Sequence, residues 1–143
     1  PSVAEAQQVF AVRRILESGM TRAFMQQVTP AQIKALKSHI TKETSAIQRN
    51  DVAARTSLLG DFHVRMAQLM GNEVLAALLT DLISRCALIT LMYQSSTDAE
   101  HSHDEHTAIV QAIEARDEEQ AVALMTDHLL HVEQGLTFTS TPA

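Results

Sequence analysis

Apolar residues recur at helical spacing along this chain, and no strand-length alternation interrupts them. That feature confines the chain to an all-α architecture, with its four glycines and three prolines expected near helix ends. A first helix is predicted over about Val3 to Phe24, with Val9, Val12, Leu16 and Met20 on one face. Thr29-Pro30 supplies an N-cap and a first-turn proline for a second, which reaches about Gln48 through Ile33, Leu36, Ile40 and Ile47. Asn50-Asp51 caps a third, carrying Leu58, Leu59, Phe62, Met66 and Met70. Gly71-Asn72 stops it and opens a fourth over about Glu73 to Tyr93. The polar stretch Gln94 to Ser102 reads as the longest loop, ahead of a fifth helix over His103 to Ala115. Asp117 caps a sixth that ends near Gln134, and the tail TFTSTPA reads as extended or disordered. Six helices with mostly short connections predict a single antiparallel helical bundle.

At 143 residues the chain is one domain by length, and 45% hydrophobic with 20% charged residues is a globular composition. A net charge of -6 argues against gripping a phosphate backbone, which takes clustered Lys and Arg. Four Phe, one Tyr and no Trp argue against base-stacking platforms. The single Cys86 lies in an apolar helical run and reads as a small packed hydrophobe, with an intermolecular thiol role as the alternative. The opening PSVAEAQQVF does not read as a secretory signal, and Val74 to Tyr93 is interrupted by Thr80, Asp81, Ser84, Arg85 and Thr90, too polar for a membrane span. A cytoplasmic location is expected, and a start at Pro1 rather than Met points to a segment removed upstream.

Three histidines lie on inward stripes. His63 follows Leu59 by four residues and precedes Met66 and Met70; His106 precedes Ile109, Val110 and Ile113; His128 follows Leu124 and precedes Val132. A buried imidazole needs a hydrogen-bond partner or a metal, so one alone reads first as a satisfied core residue. Three on three helices point to convergence in a bundle core, where metal sites are built. Imidazoles suit Zn, Ni, Fe or Cu over Mg or Ca, and a three-His set leaves a coordination position open. His39 has no partner pattern, His101 and His103 read as solvated, and His131, three residues from His128, reads as a surface residue with a place on the same cavity as its alternative.

Catalysis would need an inward base, and neither Asp61, on the far side of its helix, nor Glu105, which diverges from His106, fits. A small metal-dependent hydrolase or oxygenase is therefore the alternative rather than the main reading. Arg85 shares a stripe with Leu78, Leu82 and Ile89; it is either a rim residue paired with an acid or a fork for a ligand carboxylate. Arg13 and Glu17 are spaced as a helical pair, with Arg13 a candidate for the same cavity. Asn72 reads as the cap of the fourth helix, with an effector contact as its second reading. Leu59, Met66, Leu82 and Met125 are the candidate apolar walls.

The segments VRRILE (Val12 to Glu17), GDFHVRMAQLMGN (Gly60 to Asn72) and EHTAIVQAIEARDEEQAVALMTDHL (Glu105 to Leu129) resemble the FCD domain. This is the C-terminal effector-binding domain of FadR-type regulators in the bacterial GntR family. The resemblance covers nearly the whole chain, residues 1–143, as an effector-binding and dimerisation domain. It implies a non-enzymatic sensor whose winged-helix DNA-binding domain precedes it and is missing from this chain. It also implies a homodimer that meets DNA only through that domain; no membrane partner is expected, given the polar residues within Val74 to Tyr93. In metal-binding members an Asp four residues before the first His joins three histidines around a divalent metal. The histidines carry over onto His63, His106 and His128, for which Zn or Ni is expected, whereas the Asp position is Leu59. The implied effector is a small organic carboxylate, with Arg85, Arg13 and Asn72 as its candidate contacts.

Overall fold

The helical bundle is observed. The structure, a computed structural model, describes residues 1–140, with side-chain surroundings through Leu136. It contains α1 (Val3–Gln27), α2 (Pro30–Gln48), α3 (Val52–Leu69), α4 (Glu73–Arg85), α5 (Ala87–Tyr93), α6 (Ser96–Glu114) and α7 (Glu118–Ser140), with no strand among the described residues. The predicted caps hold. Thr29 and Gln32 form a reciprocal capping box before Pro30, and Asp51 and Asn72 accept from the backbone N–H three residues on. Three junctions share one device. Asn50, Gly71 and Arg116 sit at φ 54°, 76° and 61°, so the next residue bonds back into the helix that is ending. That next residue (Asp51, Asn72 or Asp117) then caps the following helix.

The structure corrects several boundaries. The helix expected over Glu73 to Tyr93 is two, bent by 47° at Cys86, which makes seven helices rather than six. No Gly or Pro marks the break, which is why periodicity missed it. The polar stretch read as a loop forms the first turns of α6, because Ser95 caps it by accepting from Asp98 N–H at 3.0 Å and Ala99 and Ser102 are buried. The last helix runs to Ser140, through half of the tail expected to be extended; residues 141–143 lie outside the described residues. Only Gly71 ends a helix. Gly60 lies inside α3, where a Cβ would come within 2.9 Å of Ile83 Cγ2, so its role is to let α3 and α4 approach. Among the described residues no single helix is long and apolar enough to cross a membrane; the α4–α5 pair reaches that length only across its bend.

In the core, α1 packs on α7, α7 on α6, α6 on α2, α2 on α3 and α3 on α4. Phe24, Leu36, Phe62, Met66, Leu79, Ile109, Ile113 and Met125 are fully enclosed. Each such side chain contributes about 1.5–3 kcal/mol of burial free energy. The inward stripe of α1 differs from the expected one: Val12 is exposed, and Arg13 and Glu17 are buried beside Val9, Phe10 and Met20. A buried ion pair on a core stripe needs partners, and the histidines supply them.

Candidate metal centre and its cavity

His63 from α3, His106 from α6 and His128 from α7 are all buried, and one nitrogen from each lies within 4.8 Å of the others. The Nε2 atoms of His106 and His128 are 3.0 Å apart. Each imidazole is held from behind by a carboxylate on a different helix. His63 Nδ1 donates to Glu17 Oε1, His106 Nδ1 to Glu43 Oε2 at 2.8 Å, and His128 Nδ1 to Glu105 Oε1 at 2.8 Å. Phe62 stacks on His106 with centroids 4.0 Å apart and fixes the ring plane. Spending every Nδ1–H on a carboxylate leaves each Nε2 lone pair available, and those of His106 and His128 lie side by side. This is the supporting shell that orients metal-binding histidines.

Burial pulls the His63 and His128 pKa values down to about 4, against the raising effect of Glu17 and Glu105, and lowers His106 as well. The rings are neutral at pH 7, the form that can coordinate a metal. Burial pushes the acids the other way, but the His63 and Arg13 groups beside Glu17, and the His106 and His103 groups beside Glu43, hold both carboxyls at about 2. The acids are therefore anionic acceptors. A set of three neutral nitrogens with anionic outer partners fits a divalent transition metal, and the side chain at Leu59 offers no fourth ligand.

The centre lies on the wall of a cavity of about 630 Å³ that runs between α3 and α5, with Arg13, Leu59 and Cys86 also lining it. Arg13 gives its Nε–H to Glu17 at 2.9 Å and leans over Phe10; its other N–H groups make no further hydrogen bond among the described residues. The structure does not bring the other two predicted effector contacts here. Arg85 is exposed and bonds Asp81 at 3.1 Å one turn back on α4, away from the cavity, although Leu82 and Ile89 on its stripe are partly buried. Asn72 is spent on capping Leu75 N–H at 3.0 Å. Of the predicted walls only Leu59 lines the cavity; Met66 and Met125 lie behind it in the core, and Leu82 packs near Phe10 and Cys86.

Sequence reading missed Glu17 and Glu43 and set Glu105 aside. It also left His103 solvated, although His103 Nδ1 bonds Glu43 at 3.0 Å, and His39 without a role, although its Nε2 bonds Leu58 O at 2.8 Å. A signal for Glu17 was present: it falls eight residues after Val9 and three before Met20, on a buried stripe.

A bundle with three inward imidazoles, each backed by a carboxylate, forms a site that could hold a metal beside a cavity with room for a small ligand. The FCD domain family matches residues 8–131, and the chain belongs to it. This is the regulatory domain of GntR-type transcription regulators, not a family of enzymes. The HTH-type transcriptional regulator LutR of Bacillus subtilis (strain 168) is 26% identical over 140 residues, covering 93% of this chain and 63% of LutR. The chain thus spans less than two thirds of that curated relative. In fold it matches Streptococcus agalactiae GntR (TM-score 0.78, 21% identity, 92% of this chain and 59% of that one). It also matches E. coli McbR/YncC (TM-score 0.79, 14% identity, 91% and 67%).

Proposed function

We propose that this chain is the effector-sensing module of a GntR-type transcription regulator. It binds a small organic carboxylate beside a divalent transition metal, Zn or Ni, held by His63, His106 and His128. One observation carries the reading: three carboxylates pin three imidazoles, which each bring a nitrogen within 4.8 Å of the others, beside a cavity on whose wall Arg13 has donors to spare. When bound, the ion would supply a Lewis-acid contact to a ligand oxygen at the position three imidazoles leave open. Arg13 neutralises and orients the carboxylate, and Glu17 keeps that guanidinium in place.

The signal passes to a DNA-binding domain on the same polypeptide, since a charge of -6 gives this part no affinity for a phosphate backbone. The working unit is a cytoplasmic homodimer, the symmetric arrangement that lets two DNA-binding domains meet two half-sites. Exposed Ile15, Val74 and Leu78 are apolar surface that pairing can cover.

Thermal melting with a panel of organic acids and their neutral amides tests the effector class, because a ligand of the folded state raises Tm. Acids raise Tm, amides do not, and Arg13→Gln, measured against its own ligand-free Tm, abolishes the increment. Equal stabilisation by the amides overturns the carboxylate assignment.

A further inference from the structure

The cavity is larger and longer than a two- or three-carbon acid requires. Its volume of about 630 Å³ falls in the range that encloses a drug-sized ligand. Its length follows from α3, which contributes lining residues from Ala53 to His63 and on to Val64. Ten residues of helix at 1.5 Å each place the outer end about 15 Å from the imidazoles.

The two ends differ in chemistry. The inner end holds the imidazoles and Arg13, whereas Ala53 and Thr56 of α3 lie toward the outer end, and Ala87, Leu88, Thr90 and Leu91 of α5 line an uncharged wall. Leu88 is 62% and Leu91 42% exposed, so two large apolar side chains on this wall remain uncovered. The one acid on the rim, Asp61, is on the exposed face of α3 and accepts from Ser57 Oγ at 3.4 Å. The bend at Cys86 creates this outer half by bringing α5 against α3 and α7.

We infer that the effector is an amphiphilic carboxylate: its acid group lies at the Arg13 and histidine end, and an extended apolar body lies along the α3–α5 groove under Leu88 and Leu91. This rests on the effector reading above and narrows it to acids whose apolar part is several carbons long. The groove then acts as a ruler. Each added methylene that reaches Leu88 and Leu91 leaves water and tightens binding about fourfold.

Calorimetric titration of the 143-residue chain with straight-chain monocarboxylates of four, six, eight and ten carbons, below their micelle concentrations, tests this. Affinity rises about fourfold per methylene up to the length that fills the groove. Leu88→Ser combined with Leu91→Ser, both exposed positions, flattens that rise. The carboxamide of the eight-carbon acid binds at least tenfold more weakly than the acid. Equal affinity across the series, or an unaltered slope in the double variant, overturns the inference while the effector reading stands. Failure of every acid, long or short, to bind overturns both.

Discussion

Replacing Glu17 with Gln keeps the shape of the side chain and removes its charge from a point enclosed by Arg13 and His63. Glu17 is fully buried, and Arg13 and His63 are 6% and 2% exposed, so water cannot make good the loss. Gln has one acceptor oxygen where the carboxylate served both neighbours. If that oxygen faces Arg13 Nε, the amide NH₂ meets His63 Nδ1–H; if it faces His63, the NH₂ meets Arg13. One buried donor is stranded either way, unless His63 shifts its proton to Nε2, the atom turned toward the metal centre. Removing one partner of a buried ion pair costs about 3–5 kcal/mol. For a chain of this length that lowers Tm by roughly 6–20 °C. Metal affinity falls about 10–100-fold, as it does when the outer partner of a metal-bound histidine is lost. Urea unfolding followed by circular dichroism gives the first number, and competition with a chromophoric chelator the second. Glu118→Gln is the control, because the Arg22–Glu118 pair is long (3.8 Å) and exposed and should contribute nothing measurable. A Glu17→Gln chain within about 1 kcal/mol of the parent would refute the claim that Arg13, Glu17 and His63 form one enclosed unit.

Acid should destabilise the metal-free chain. The folded state holds His63 and His128 neutral down to about 4 while the unfolded rings protonate near 6.5, so the unfolded state binds more protons in that window. The two rings together take away up to about 2.7 kcal/mol per pH unit on falling from 6.5 toward 4. Glu17 and Glu43 extend the loss from 4.5 toward 2, since stability from an acid with a lowered pKa disappears as pH falls through its folded value. Urea midpoints that stay level between pH 7 and 5 would contradict this. Arg116→Gly should stabilise by about 0.5–1 kcal/mol, because Arg116 holds φ at 61°, a conformation that suits glycine; an unchanged midpoint would count against that strain. Gly60→Ala should cost about 1–3 kcal/mol by pushing Ile83 away, and a Tm equal to the parent's would show that α3 and α4 separate freely. Arg85→Ala should leave acid binding unchanged, as its partner is Asp81 on the outer face of α4.

Much of this was legible in the residues because local chemistry dictates it. Thr29-Pro30, Asp51, Asn72 and Asp117 cap helices through contacts three residues away, so sequence alone discloses them. His63, His106 and His128 were legible because each has aliphatic neighbours at helical offsets. Their carboxylate partners were not, since Glu17, Glu43 and Glu105 meet the rings across 46, 63 and 23 residues of chain. Arg13 and Glu17 look like a solvated helical pair until the bundle sets Glu17 against His63 of α3. Ser95 was overlooked because the polar turns after it have the composition of a loop. The bend at Cys86 has no Gly or Pro to announce it, and with it went the α5 wall of the cavity.

The central claim is that three buried imidazoles form one metal centre. Equilibrium dialysis of the chelator-stripped chain against micromolar Zn²⁺, followed by elemental analysis and native mass spectrometry, measures it directly. One ion per chain is expected for the parent and none for His128→Ala, with the helical circular dichroism of the variant unchanged. A parent chain that emerges free of metal, or a His128→Ala chain that keeps a full ion, would contradict it.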